Sequence, residues 1–412
     1  MKVVPFYLLF FIFLFVNNLA AQKRCAAFLY HQSEEKNSPA AAGKAGVIKS
    51  FSLQQKMTAE ATGASTGSLH KIVTIPVVFH ILYHTPEEKI SDALVSKQLE
   101  LLNKCFRHKN ADSVNTPAVF KSLAADCEIE FVLATSTPRK VSTTGIVKKY
   151  TPVKSWTSDD KMKFSAEWGD DGWDANSYLN IWVCNLGDFA GYSSFIGGIE
   201  KKDGLVISFS EFGENKKTIV HEAGHWLNLK HLWGDKNCGD DEVDDTPKQE
   251  GYTPGCPTGI RITCGNGPYG DMYSNYMDFT SDECTNLFTQ GQKARMQALF
   301  VPGAARYSLL SSIGLTTPLI FESAIEEEDP AWLQPKLYPN PASTQMTLDL
   351  SYDMRWLGKN IQVINLQGQT IMTLTITSKK QQIDISRLTS GMYFLTAQKG
   401  DGESIKQKFI KL

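Results

Sequence analysis

Residues 221–231 read His-Glu-Ala-Gly-His-Trp-Leu-Asn-Leu-Lys-His, and this run constrains the chain more than any other part of it. On a helix, side chains four residues apart leave the same face, so His221 and His225 can bind one metal ion. Glu222, beside the first of them, reaches the same centre without being a ligand. His231 comes six residues after His225, beyond the reach of that helix face. The helix must therefore stop near Asn228 and turn back, and Asn is the best non-glycine residue for a left-handed helix end. Three neutral imidazoles leave the fourth position of a zinc ion open, the arrangement of a catalytic rather than a structural zinc.

His-Glu-x-x-His-x-x-Gly-x-x-His followed by a methionine turn is the metzincin signature. The fuller set here is HEAGHWLNLKHLWGD, then CGDDEVDDTP, GCP and SNYMDFTSDEC, in that order. It resembles the pappalysin family of metzincins over roughly residues 71–300. The resemblance implies an α+β catalytic domain, a twisted mixed sheet plus helices over a loop-rich lower subdomain. It also implies zinc on His221, His225 and His231, and Met277 beneath the metal. Two positions depart from the pattern. Asn228 replaces the signature glycine, a change that positive φ tolerates, and Phe279 stands where relatives often carry a tyrosine that can hydrogen-bond the reaction intermediate.

The chain opens with Lys2, an apolar run from Phe6 to Val16 and then Asn-Asn-Leu-Ala-Ala, which reads as a secretory signal peptide ending at Ala20 or Ala21. That run is too short to span a bilayer and no later stretch is long enough, so no transmembrane anchor is expected. A net charge of −2 without a long basic run excludes a nucleic-acid partner. Residues 22–70 are rich in Ala, Ser, Gly, Lys and Gln without apolar periodicity, as suits a removable pro-segment.

From Lys71 the pattern changes. Ile72–Phe79, Ile129–Ala134, Tyr178–Cys184 and Leu205–Phe209 read as strands, and Ser91–Phe106, Lys217–Lys230 and Thr289–Phe300 as helices. The metallopeptidase unit would thus occupy residues 71–314, followed by a Pro- and Glu-rich linker at 315–335. From 336 to 412, Ile361–Asn365, Thr370–Thr377, Gln382–Ile385, Met392–Ala397 and Ile405–Lys411 alternate like strands of a small all-β sandwich. Leu337–Ala342, Leu366–Gln369, Leu388–Tyr393 and the terminal Lys-Phe-Ile-Lys-Leu resemble type IX secretion sorting domains, which implies that secretion machinery as a partner. The alternative is an accessory β-domain binding carbohydrate or protein.

An exported chain with eight cysteines points to disulfides. Cys238, Cys256, Cys264 and Cys284 lie in a Gly-, Pro- and Asp-rich stretch where crosslinks substitute for a core, and sequence alone permits three pairings. The resemblance implies Cys238–Cys264 and Cys256–Cys284. It also implies that Cys25, in Lys-Arg-Cys-Ala, is a zymogen switch whose thiolate fills the open zinc position; the plain alternative is an incidental cysteine. Cys105–Cys127 is the favoured third pair, with Cys184 left as a small buried hydrophobe.

Around this site the expected chemistry is hydrolysis of protein peptide bonds, with Glu222 as base and then acid. The acidic cluster offers hard oxygen ligands, and the resemblance implies calcium on Asp241, Asp244 and the carbonyls of Val243 and Thr246, against the reading of a solvated acidic loop. Asp282 matches an acid that favours Arg or Lys after the scissile bond in some relatives; otherwise it caps loop amides. Two rival functions share the motif: a zinc amidase of cell-wall or small-molecule amides, and a surface adhesin that has lost turnover.

Overall fold

The computed structural model describes residues 24–37, 72–321, 329–400 and 402–412. The expected signal peptide at 1–21, most of the expected pro-segment and residues 322–328 of the expected linker lie outside the described residues.

Eleven residues from Val73 to Tyr83 form strand β2, nearly all buried, because Ile75, Val77, Phe79 and Ile81 alternate with Val78, His80 and Leu82 between two packed faces. It pairs in parallel with β3 (Ile129–Leu133), β4 (Ile146–Tyr150) and β5 (Leu179–Cys184). Beyond β5 lie β7 (Leu205–Ser208) and then β6 (Phe189–Ser193), antiparallel to it. A two-residue strand β1 (Arg24–Cys25) adds to the outer edge of β6 in parallel. These seven described strands make one mixed sheet in the order β1-β6-β7-β5-β2-β3, with β4 also on β2.

Helix α1 (Ala27–Asn37) follows β1 directly. Helix α2 (Asp92–Phe106) is capped by Ser91, whose hydroxyl accepts from Leu94 N, and buries Val95, Leu99, Leu102 and Phe106 against the sheet. Helix α3 (Thr218–Trp226) carries the histidines, and helix α4 (Gln290–Gln297) begins with a Thr289–Gln292 capping box. Between α3 and α4 there is little regular structure, and disulfides Cys238–Cys264 and Cys256–Cys284 crosslink that stretch.

Cys105 and Cys127 do not pair, contrary to expectation. Both are buried among Phe106, Phe131 and Phe288, and burial pushes both thiols up. They pack as small hydrophobes, as Cys184 does.

The tail is a sandwich of two antiparallel sheets. One has the order β11 (Thr370–Thr375), β10 (Asn360–Ile364), β13 (Gly391–Gln398), β14 (Ser404–Lys411); the other β12 (Lys380–Asp384), β9 (Gln345–Asp349), β8 (Lys336–Tyr338). Leu348, Trp356, Ile361, Val363, Leu395 and Phe409 fill the space between them. The described residues on either side of 322–328 are tied to the sheet domain: Ile320 bridges to Val141, and Asp329 accepts from Tyr83 Oη at 2.7 Å and Lys89 Nζ at 2.7 Å. No described helix is long and apolar enough to cross a membrane.

Candidate active site

Helix α3 ends four residues short of the expected Lys230. Leu229 N donates to Gly224 O at 2.9 Å and Asn228 N to His225 O at 2.9 Å, the two crossed bonds of a Schellman motif. That closure requires Asn228 at φ 73°. Leu229 O then turns back to hold His225 Nδ1 at 2.9 Å, so the helix end both returns the chain and orients a histidine.

His221 Nδ1 faces Tyr276 O at 2.7 Å, and His231 Nδ1 faces Asp235 Oδ1 at 2.5 Å. Each Nδ1 therefore carries its proton toward an acceptor, which leaves each Nε2 a lone pair. His225 Nε2 lies 3.1 Å from both His221 Nε2 and His231 Nε2. Three lone pairs converging at that distance repel unless a cation lies among them. Zinc–nitrogen bonds of about 2.0–2.1 Å in a tetrahedron separate the nitrogens by about 3.3–3.4 Å, so the cluster fits such an ion. Burial pushes His221 down to about 3, with His231 adding, and His225 well below its ordinary value, so both favour the neutral form that a metal ion requires. Cys25 Sγ completes the set, all four donor atoms lying within 4.8 Å of one another.

Glu222 is fully buried, and neither carboxylate oxygen has a hydrogen-bond partner among the described residues. Burial raises its carboxyl to about 8, with the nearby Cys25 thiol pulling the other way. Gly191, on β6, makes room for it: a Cβ there would lie 3.2 Å from Glu222 Oε1 and 2.8 Å from the Val206 carbonyl. The Met turn comes equally close to the helix, since a Cβ on Gly224 would meet Met277 Sδ at 2.5 Å.

Phe279 is a hydrophobic wall of the histidine cluster, its ring 4.7 Å from His231, 5.5 Å from His221 and 5.0 Å from Trp233. Tyr276 does not replace the missing hydroxyl. It is buried with its ring 4.8 Å from Phe288, beneath the cleft.

A small cavity of about 60 Å³ beside Glu222 is lined by Cys25, Ala190, Lys217, Thr218, Asp282 and Thr285. Lys217 Nζ holds its wall by donating to Asp112 Oδ2 at 2.6 Å and to the carbonyls of Asp282 and Thr285. Burial raises the Asp282 carboxyl, with the Lys217 contact pulling the other way.

The acidic loop divides its carboxylates. Asp245 accepts from Thr289 Oγ1 at 2.6 Å and Gly291 N at 2.8 Å, so it caps α4. Asp241 Oδ1 accepts from Val243 N at 3.1 Å and Thr246 Oγ1 at 2.7 Å, while its buried Oδ2 has no partner, and burial raises its carboxyl to about 7. Among the described residues, three or more His, Cys, Asp or Glu side chains converge only at Cys25, His221, His225 and His231.

Sequence reasoning missed Asp235, Gly191, Lys217 and the whole of β6. Asp235 had a signal, four residues after His231. Phe-Ala-Gly-Tyr-Ser has no polar–apolar alternation, so the strand that borders the cleft carries no period-2 signature.

Residues 203–301 match the family model described as pregnancy-associated plasma protein-A, and residues 336–412 match the secretion system C-terminal sorting domain. An extracellular metalloprotease of Pyricularia oryzae is 31% identical over 59% of this chain and 81% of its own length. Mature mirolysin of Tannerella forsythia, solved with a cleaved peptide, is 40% identical with a TM-score of 0.56, covering 58% of this chain and 96% of that one. A promirolysin mutant of the same organism is 35% identical with a TM-score of 0.61, covering 70% of this chain and 97% of that one. The chain therefore belongs to the pappalysin family of metzincin metallopeptidases, and its C-terminal sorting domain marks it for secretion and cell-surface export.

Proposed function

We propose that the protein is a zinc endopeptidase, held latent by Cys25, that cleaves proteins before Arg or Lys. The observation carrying this reading is the convergence of three neutral Nε2 lone pairs at 3.1 Å beside a buried, unpartnered carboxylate. His221, His225 and His231 would hold the ion. Zinc, when bound, polarises a scissile carbonyl and makes water acidic near neutral pH. Glu222, once the Cys25 thiol beside it has left, would take the water proton and pass it to the leaving amine. Gly191 would keep the edge of β6 flush with Glu222, so that an extended substrate can lie against that strand. Phe279 and Trp233 would keep water from the far side of the histidines. Met277, packed under Gly224, would seat the cluster from below.

The reading of the cavity as the pocket for the residue after the scissile bond is supported by Asp282 lining it. Lys217, its donors engaged with Asp112 and two carbonyls, would be a strut of that wall. Latency is supported by Cys25 lying opposite Gly191 with its thiol among the histidines. Maturation would remove residues 22–70, by cleavage before Lys71, and leave a catalytic domain at 71–314, a linker at 315–335 and the sorting domain. Calcium on Asp241, with Asp244 and the carbonyls of Val243 and Thr246, is supported by the orphaned Asp241 Oδ2.

Zinc content and protein cleavage measured side by side, for the secreted protein and its Glu222→Ala variant, test the reading. About one zinc in each, with cleavage before Arg or Lys in the parent alone, is expected. Zinc without cleavage of any protein would turn the reading to an amidase or an adhesin, and absence of zinc would end it.

A further inference from the structure

Helix α1 sits on a built polar site. Tyr30 Oη donates to Asp160 Oδ2 at 2.8 Å, and Glu34 Oε1 pairs with Lys202 Nζ at 3.0 Å. Beneath them lies a buried network. Asp160 accepts from Tyr192 Oη at 3.0 Å and pairs with Lys163 at 2.8 Å and Lys202 at 3.2 Å. Lys163 Nζ also donates to Lys202 O at 2.7 Å and stands 5.0 Å from the centre of the Tyr192 ring and 5.6 Å from that of Tyr30. With α1 in place, the charges of Asp160, Lys163, Lys202 and Glu34 cancel. Without it, one positive charge is left in excess, and Lys202 loses one of its two carboxylate partners, keeping only Asp160, which it shares with Lys163.

The berth also has a defined place along the cleft. Cys25 lies opposite Gly191, and α1 leaves from there past Tyr192, Ser193 and Phe195: His31 Nε2 is 3.2 Å from Ser193 O, and its ring is 4.9 Å from Phe195. The Asp282 cavity lies on the other side of Gly191, against Ala190. If that cavity takes the residue after the scissile bond, the α1 berth faces the residues before it. From Ala27 to Glu34 a helix rises about 10 Å. An extended chain covers this in about three residues.

We infer that the berth vacated by α1 is a recognition site for an acidic substrate side chain, held by Lys202 about three residues before the scissile bond. This rests on the assignment of the Asp282 cavity made above. The pro-segment then does two things with one helix: it blocks the site and presents Glu34 as a mimic of the acid that will follow.

The test uses the self-processed enzyme and peptides with Arg after the scissile bond, bearing Glu, Gln or Lys at each of the four positions upstream. The parent is expected to show KM about threefold lower for Glu than for Gln at one of these positions, the size of an exposed ion pair. Lys202→Gln is expected to erase that difference and Lys202→Glu to invert it in favour of Lys. Lys201→Glu makes the same charge change at an exposed neighbour and is expected to keep the parent preference. Equal KM for Glu and Gln at all four positions, or a Glu preference that survives Lys202→Glu, would overturn the inference. A second peptide set varying the residue after the scissile bond reads the Asp282 pocket separately, so failure of either reading is seen by itself.

Discussion

Asp203→Ala is expected to destabilise the catalytic unit more than any change to its surface. The Asp203 carboxylate accepts from Ser194 Oγ at 2.7 Å, Trp226 Nε1 at 2.8 Å and Arg306 Nη2 at 3.0 Å. Through Trp226 it ties the loop after β6 to the last turn of α3, and the Arg306 guanidinium lies 3.8 Å from the centre of that indole. Arg306 is only 6% exposed, so removing the carboxylate leaves a buried cation without its counter-charge. Such a loss costs about 3–5 kcal/mol. In a domain of this size each kcal/mol moves Tm by about 2–4 °C, so the drop should be about 6–20 °C. Thermal unfolding in the Glu222→Ala background avoids self-digestion during the scan. The pH dependence has a definite sign. Burial pushes the Asp203 carboxyl up, but Arg306 outweighs it and holds it below the usual carboxylate range. A carboxyl depressed in the folded state contributes stability above its unfolded pKa of about 3.9 and loses it as pH falls through the folded value. The Tm gap between parent and variant should thus be level from pH 5 to 8 and narrow below about pH 4. A gap under about 2 °C at pH 7, or one that widens on acidification, would refute the reasoning.

Gly191→Ala places a methyl against Glu222 and the Val206 carbonyl, and a displacement of about 1 Å in the base should lower kcat about 100-fold; unchanged kcat would mean that the edge strand yields. Asn228→Ala loses the side chain that tolerates φ 73° and should cost about 1–2 kcal/mol, while Asn228→Gly should be neutral or better by thermal unfolding. An alanine variant more stable than glycine would contradict the Schellman account. Cys25→Ser removes the soft donor from the cluster, and self-processing of freshly purified zymogen should be at least about tenfold faster, read from the appearance of the shorter chain on a gel. A variant as latent as the parent would show that α1 alone blocks the cleft.

The rivals of the histidine cluster are few in sequence because its information is local. Four-residue spacing on a helix puts His221 and His225 on one face whatever surrounds them, and Asn228 signals the turn that returns His231. Period-2 alternation did the same for most strands of the tail, where each sheet buries only one face. Fold class, the convergence of His221, His225 and His231 and the sorting tail were therefore legible from the amino acids and the motifs they compose.

What the sequence left open depends on partners far apart in the chain. Cys105 and Cys127 have a plausible spacing, yet whether two thiols bond is a matter of how α2 and β3 pack. Asp245 and Asp241 look alike in an acidic run; contact with α4, over 40 residues on, makes one a cap, and burial leaves the other with an orphaned oxygen. The strand β6 has no alternation because both its faces are covered, so only the sheet shows that Gly191 meets Glu222 and that Cys25 lies opposite. The berth of α1 joins residues 30 and 34 to 160, 163, 192 and 202, and no local pattern encodes that meeting. Local geometry determined which atoms could do the chemistry. Tertiary packing decided what lies against them, because burial and charge pairing are set by whichever surfaces the fold brings together.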